Sequence, residues 1–479
     1  MNITMIIYVL GWILTTIAAL MFLPFFVSIY YEDPTGKYFL ICILLMLIPG
    51  FLAIRKRPKN TRFYAKEGFV MTALSWLLLS VVGCLPFCLS KEIPSFTNAL
   101  FECISGFTTT GASILHDVET MSRSMMFWRC FIQWIGGMGV LVFMLALIPM
   151  TGGQDLYIMK AESPGPNVGK LVPKVRQTAY YLYGIYTALT LLEIISLYIA
   201  GMPLYDAVCT SFTTTSTGGF GVRSASIGAY SPAIQNVVSV FLFLSGMNYY
   251  FYFLLWIKRF KEAFSLQEIR LYTLIFFSSI AVIAFDLTRI GYSLEECIRY
   301  SAFQVGSIMT TAGFASADFD TWPSLSKTIL VVLMFIGGCA GSTTGGIKVI
   351  RILTYLKTIK KEIAHLIHPR NVKIIKIDGK PLAHDILRST NVFLAVYMMI
   401  FVCSLLLVSV DNQDLITNFT AVASALGNIG PGLAKVGPTC NFDLFSPFSK
   451  YVLMFDMLAG RLELFPLLVL FAPSTWRRR

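Results

Sequence analysis

Apolar runs of bilayer-crossing length alternate along this chain with short polar breaks, and several shorter apolar segments lie between them. Runs at about 4 to 30, 37 to 54, 68 to 90, 124 to 150, 178 to 200, 232 to 257, 270 to 290, 325 to 350, 386 to 410 and 447 to 472 come near or pass the ~20 residues a spanning helix needs. Ten crossings are therefore expected. A membrane β-barrel would instead show short segments of alternating polarity. The expected fold is an all-α integral membrane protein.

Four segments, near 96 to 108, 204 to 215, 295 to 309 and 414 to 427, are too short to cross, and each runs into a tract of small residues. The tracts read Thr108-Thr109-Thr110-Gly111-Ala112-Ser113, Ser216-Thr217-Gly218-Gly219-Phe220-Gly221, Thr310-Thr311-Ala312-Gly313-Phe314-Ala315 and Gly427-Asn428-Ile429-Gly430-Pro431-Gly432. Aligned on the fourth position, all four carry glycine, at Gly111, Gly219, Gly313 and Gly430. A unit of span, pore helix, filter tract and span thus recurs four times in tandem, at intervals of roughly a hundred residues. The boundaries expected are 61–150, 151–260, 261–365 and 366–479, with 1–60 forming two additional N-terminal transmembrane helices. Small residues also let membrane helices pack closely, and a single tract would leave that alternative level with a pore. Four tracts on one predicted side favour four repeats around one pore.

Composition changes this picture little: 56% of residues are hydrophobic and 13% charged, which excludes an ordinary soluble domain. The net charge of +12 sits mostly in loops and reports topology rather than nucleic acid. Arg55, Lys56, Arg57, Lys59, Arg62 and Lys66 mark one cytoplasmic loop, and Lys348, Arg351, Lys357, Lys360 and Lys361 open another. With ten crossings and Arg477, Arg478 and Arg479 at the end, both termini are expected in the cytoplasm. The cytoplasmic segments 151 to 177 and 351 to 385 are the expected docking surfaces for a soluble partner. Ile3 to Tyr30 lacks a preceding basic region and a cleavage site, so it reads as a retained span. The ten cysteines imply no disulfide framework, and Cys84 and Cys88 pack as small hydrophobes in preference to forming a reactive pair.

A cation crossing a bilayer must exchange water oxygens for protein oxygens, and rings of backbone carbonyls supply them. Glycine makes the required tight backbone accessible, and threonine hydroxyls add oxygens or brace the loop. Pore helices pointing inward would aim partially negative C-termini at the cavity, which favours cations over anions. Glu102 and Asp206 read as charges at helix starts in preference to ion ligands, and Asp318 and Asp320 lie just outside the third tract.

The eighth run contains Gly337-Gly338-Cys339-Ala340-Gly341-Ser342-Thr343-Thr344-Gly345-Gly346, where each glycine costs a helix interior about 0.8–1.0 kcal/mol relative to alanine. A broken segment lining the cavity as a movable constriction is expected, the alternative being a flexible helix end. Ile347 separates Gly346 from Lys348 and no strand precedes them, so the phosphate-binding loop pattern fails. Arg461 lies in the tenth run, with Glu463 and Asp456 both poorly spaced to pair with it; it is expected to face the pore, snorkelling being the alternative. His365, His368 and His384 fall in a basic loop and read as a solvated face rather than a metal site. No nucleophile, base and acid set is legible, so no enzyme is expected.

These residues resemble the Trk/Ktr/HKT superfamily of potassium transporters, most closely its Trk membrane subunits, over essentially the whole chain. The resemblance is carried by Ser105-Gly106-Phe107-Thr108-Thr109-Thr110-Gly111-Ala112, Thr217-Gly218-Gly219-Phe220, Gly427-Asn428-Ile429-Gly430-Pro431-Gly432 and Met457-Leu458-Ala459-Gly460-Arg461-Leu462-Glu463. It implies potassium held at Thr109, Thr110, Gly111, Thr217, Gly218, Gly219, Thr311, Ala312, Gly313, Asn428, Ile429 and Gly430. It also implies a gate made of Gly337, Gly338, Gly341, Ser342, Thr343, Thr344, Gly345, Gly346 and Arg461. Glycine at Gly111, where some relatives have serine, implies potassium in preference to sodium. Further implied are a bacterial inner-membrane location, a homodimer, inward K⁺ movement by channel or symport, and a cytosolic ring of nucleotide-binding regulatory subunits. K⁺ is then the only ion at the filter, no cofactor is covalently bound, and any nucleotide sits on the partner. Two alternatives stay open: the ion-translocating subunit of an ATP-driven potassium pump, and a membrane-embedded transferase.

Overall fold

Asn2 caps the first helix, its side-chain oxygen accepting the Met5 amide. Helix α1 (Ile3–Leu20) and α2 (Phe22–Tyr30) form one apolar run, and α3 (Gly36–Ile54) returns against it. The return is close because side chains are missing where the helices cross. A Cβ on Gly11 or on Gly50 would fall under 3.0 Å from Ala53 or Thr15 respectively. The computed structural model describes residues 1–56, 58, 65–139, 175–370 and 374–476.

The chain continues with α4 (Ala65–Gly83), α5 (Leu85–Ser90), the short α6 (Phe96–Phe107) and α7 (Arg123–Gly137). Next come α8 (Val175–Ile199), the short α9 (Leu204–Thr215), α10 (Pro232–Ser245), α11 (Tyr249–Trp256) and α12 (Phe260–Ser265). A third group comprises α13 (Gln267–Thr288), the short α14 (Leu294–Met309), α15 (Ser324–Ile336) and α16 (Val349–Ile367). The last comprises α17 (His384–Val408), the short α18 (Leu415–Gly427), α19 (Pro447–Arg461), α20 (Phe465–Phe471) and α21 (Pro473–Trp476).

The protein is a helical membrane protein. Among the described residues six helices are long and apolar enough to cross a bilayer, and a bent pair makes a seventh. The run at 232 to 257, expected as one span, is that pair: α10 and α11 meet at 90° across Gly246–Asn248. Gly246 caps α10, and the Asn248 side chain accepts the Tyr250 amide to start α11. The run at 447 to 472 is also broken, between α19 and α20, where Glu463 and Leu464 have φ of 53° and 68°. Pro466 near the start of α20 explains the stop, since it lacks the amide that would continue α19 and its ring would clash with the Leu462 carbonyl in an unbroken helix. The run at 325 to 350 ends at Ile336 and resumes at Val349. Residues 140–150 of the run at 124 to 150, most of the segment 151 to 177, and the terminal arginines lie outside the described residues.

Among the described residues the non-helical elements are two short strands. Strands β1 (Lys376–Ile377) and β2 (Lys380–Pro381) form an antiparallel hairpin. Asp378 and Gly379 turn it with φ of 49° and 78°, the double positive φ of a tight two-residue turn.

The largest apolar cluster joins α1, α3, α4, α6, α7 and α17 to α20, and a second joins α11 and α13 to α15. Between them they enclose the C-terminal ends of α6, α14 and α18, Phe212 of α9 packs against the first, and most residues of the tracts that follow are buried.

Candidate functional site

Helices α6, α9, α14 and α18 end in one shared way. The amides of Thr109, Thr217, Thr311 and Asn428, at the second tract position, donate to the carbonyls of Gly106, Thr214, Ile308 and Ala425, three residues back. The amides of Thr110, Gly218, Ala312 and Ile429 donate to Ser105, Thr213, Ser307 and Ser424, five back. This paired closure satisfies helix-end carbonyls but requires the second position to be left-handed. Thr109, Thr217, Thr311 and Asn428 accordingly have φ of 54°, 55°, 57° and 55°. None is glycine, and each L residue held there costs roughly 1–2 kcal/mol. Four-fold repetition of an unfavourable conformation marks it as required by what the tract does next.

Two residues on, Gly111, Gly219, Gly313 and Gly430 have φ of 81°, 78°, 83° and 110°. A Cβ on Gly111 would fall under 3.0 Å from the Gly218 carbonyl oxygen, one on Gly219 from that of Ala312, one on Gly313 from that of Ile429, and one on Gly430 from that of Thr110. The contacts run from tract one to two, two to three, three to four and four back to one. The four tracts therefore close on each other as a ring, and the glycines are needed both for φ and for this approach of backbone to backbone.

Buried side chains brace the ring. Arg129 on α7 donates to Glu102 on α6 at 2.7 Å, with exposures of 1% and 0%. Glu102 also accepts the Ser113 hydroxyl and the Ile114 amide; Arg129 reaches Ser113 and the Gly221 carbonyl and stacks on the Phe220 ring. The pair thus staples the far end of tract one to tract two. Gln133, one turn along α7, donates to the Gly218 carbonyl at 2.7 Å and accepts the Phe220 amide. Asn428 Nδ2 donates to Thr110 Oγ1 at 2.9 Å and to the Met457 carbonyl, tying tract four to tract one. Glu102, expected at a helix start, lies seven residues into α6 and is a structural carboxylate; Asp206 does lie in the first turn of α9, bonded to the Tyr230 hydroxyl.

The irregular segment between α15 and α16 packs against the helix ends and second positions of the ring. The Gly345 amide donates to Thr311 Oγ1 at 2.7 Å, and the Thr343 hydroxyl reaches the Thr215 carbonyl and Thr217 Oγ1. A Cβ on Gly345 would collide with the Gly427 carbonyl. Gly337, Gly341 and Gly346 have φ of 73°, 71° and 74°, so this backbone could not be helical. Ser342 and Thr344 bond each other, Gly338 packs on Thr344, and the buried Lys348 ammonium donates to the Thr344 carbonyl. Arg461, last residue of α19, donates to the Thr343 carbonyl at 2.8 Å and to the Gly136 and Gly137 carbonyls. Glu463 binds Arg351 of α16, and Asp456 takes the Ser404 hydroxyl. One guanidinium thus spans the loop, α7 and α19.

All the residues expected at the filter and the gate meet in this one assembly. Arg129, Gln133, Glu102 as a brace, and Lys348 were not expected there. An arginine inside the apolar run at 124 to 150 was the available signal, since charge at membrane depth demands a partner.

A family model described as TrkH, cation transport protein, matches residues 36–478. The chain belongs to the TrkH family. Relatives include the Trk system potassium uptake proteins TrkH of Salmonella typhimurium and of Escherichia coli, each 36% identical over 98% of both chains. The Trk system potassium uptake protein TrkG of Escherichia coli is 32% identical over 95% of this chain and 94% of its own. The crystal structure of the potassium transporter TrkH from Vibrio parahaemolyticus matches with a TM-score of 0.89 at 33% identity, covering all of both chains. Membership of the TrkH family makes this chain a transport protein rather than an enzyme.

Proposed function

We propose that the chain carries potassium inward across the bacterial inner membrane, as the membrane subunit of a Trk potassium uptake system. The closed ring of tracts carries this reading. Four helix C-termini converge on it, each contributing partial negative charge, and backbone oxygens of four tracts crowd together there. In this reading residues 61–150, 151–260, 261–365 and 366–479 are the four pore units and 1–60 an addition to them. Thr109, Thr110, Gly111, Thr217, Gly218, Gly219, Thr311, Ala312, Gly313, Asn428, Ile429 and Gly430 supply the potassium sites.

The loop Gly337 to Gly346 is the gate. It touches tracts two, three and four, and Arg461 clamps it to α7. A cation leaving the ring would meet the guanidinium and the Lys348 ammonium, so the docked loop opposes passage by charge as well as by bulk. The chain further acts as a homodimer, with both termini cytoplasmic and a cytosolic nucleotide-binding ring displacing the loop. The names of the relatives as parts of a Trk system support such a partner.

Potassium and sodium uptake by transport-deficient cells tests the filter. Gly111→Ser places a side chain against the Gly218 carbonyl, and the preference for potassium over sodium should fall. Unchanged preference would remove tract one from the filter.

A further inference from the structure

We propose that Glu268 is a positioning residue for the intramembrane loop, a latch that holds it docked and ties it to the β hairpin; this rests on the loop being the gate. Glu268 is the second residue of α13 and is 6% exposed. Its Oε1 accepts the Ala340 amide at 2.6 Å, and its Oε2 accepts Asn248 Nδ2 at 3.3 Å. Ala340 lies inside the loop; Asn248 is the corner residue between α10 and α11. The corner also holds the loop through its backbone. Cys339 donates to the Gly246 carbonyl and Tyr249 donates to the Gly341 carbonyl, both at 3.0 Å. Three consecutive loop residues are therefore pinned by Glu268 and the bend at Gly246–Asn248, while Thr343 and Gly345 are pinned by the ring.

The two halves differ in what lies behind them. Behind the ring contacts stand helix ends that close on themselves. Behind Glu268 stands Gln267, whose amide donates to Asp378 of the hairpin turn at 2.8 Å and whose side chain accepts Lys357 of α16. Lys357 also donates to the Lys376 carbonyl. Lys376, Asp378 and Lys380 are exposed. One turn along α13, the Tyr272 hydroxyl donates to the Phe243 carbonyl near the end of α10. The first two turns of α13 thus join the exposed hairpin, the bend and the loop. A displacement of the hairpin reaches Ala340 through the Gln267 peptide unit and the Glu268 carboxyl, and one of α16 enters the same route at the Gln267 side chain. Because a buried amide left without its acceptor is costly, the Ala340 bond behaves as a two-state contact.

The test uses the full chain, in transport-deficient cells and in liposomes, with rubidium uptake and maleimide modification of the native Cys339 as readouts. Cys339 is buried beside Ala340, so its modification, read by mass spectrometry of its peptide, reports undocking directly. Glu268→Ala should raise uptake roughly three- to tenfold, the population shift expected from losing one hydrogen bond to a carboxyl, and expose Cys339. Glu268→Gln keeps an acceptor for the Ala340 amide and should restore uptake and Cys339 protection towards native. Asp378→Ala, at an exposed turn, should move both readouts the same way by less. In a chain lacking Gly341 to Gly346, Glu268→Ala should add nothing to uptake. Native uptake and protected Cys339 in Glu268→Ala, with raised uptake from the deletion, would overturn the latch alone. A deletion that leaves uptake native would overturn the gate beneath it. Should Glu268→Ala fail to accumulate, native readouts from Asp378→Ala overturn the link to the hairpin.

Discussion

The ring and the loop beside it are both buried, glycine-rich, irregular backbone, yet they are held in different ways. Each ring tract is closed first by its own short helix, through two amide bonds to carbonyls three and five residues back, and only then meets its neighbours. The loop has bonds of its own, among them Ser342 to the Cys339 carbonyl, Ser342 to Thr344 and Val349 to the Gly338 carbonyl, but it is also held from outside by several separate elements: by Gly246 and Glu268, by Thr215 and Thr311, and by Arg461. Locally closed backbone keeps its shape when a neighbour moves. Backbone held by several separate elements can leave as a unit when one lets go. The difference is what the proposed roles require, a fixed filter in the ring and a releasable gate in the loop.

One methyl group added to the ring should have the largest effect. Gly219 is the tightest of the four, and Gly219→Ala sets a Cβ against the Ala312 carbonyl, where only backbone could give way. Potassium uptake should fall to the background of transport-deficient cells, and retained uptake would show that the ring is as pliable as the loop. Next in size is Arg461→Ala, which removes the guanidinium from the Thr343, Gly136 and Gly137 carbonyls. Uptake in liposomes should rise several-fold, and a native rate would take Arg461 out of the gate. Smaller again is Gly341→Ala in the loop. Here the neighbour is a side-chain oxygen rather than backbone: the new Cβ would lie 3.2 Å from Asn248 Oδ1, which must give by a few tenths of an ångström, and the positive φ adds its own penalty. A cost of about 1 kcal/mol to the docked loop predicts about a fivefold gain in uptake, without the loss seen at Gly219.

The smallest effect concerns the outer connections that steady the ring. The Lys450 ammonium, with His116 and Asn98, holds the Asp443 carboxyl below its usual range. A carboxyl with a lowered folded value stabilises the fold above its unfolded value, about 3.9, and loses that contribution as pH falls through the folded one. Thermal stability should therefore decline as pH is lowered through and below the ordinary aspartate range, with a smaller decline in Asp443→Asn. Equal pH dependence of the two would exclude Asp443 as a contributor.

Much of this assembly is legible in local pattern. The short helices preceding the tracts, the shared fourth-position glycine and the interruption from Gly337 to Gly346 follow from run length and from the cost of glycine in a helix. The bends at Gly246–Asn248 and at Glu463–Leu464 had signals as well, a glycine and a capping asparagine in one and Pro466 in the other. Both were outweighed by the length of the apolar runs that contain them.

Local pattern was enough to show that the chain enters a membrane, where most of its short helices end and which four tracts are alike, because hydropathy, capping and glycine act over a few residues. Only the tertiary structure decided that Gly430 meets Thr110, that Glu102 pairs with Arg129, and that Arg461 spends its charge on carbonyls of Thr343, Gly136 and Gly137. Those partners stand tens to hundreds of positions apart. Buried polar groups must be satisfied, but sequence says only that a partner is required; the packing of helices says which one arrives.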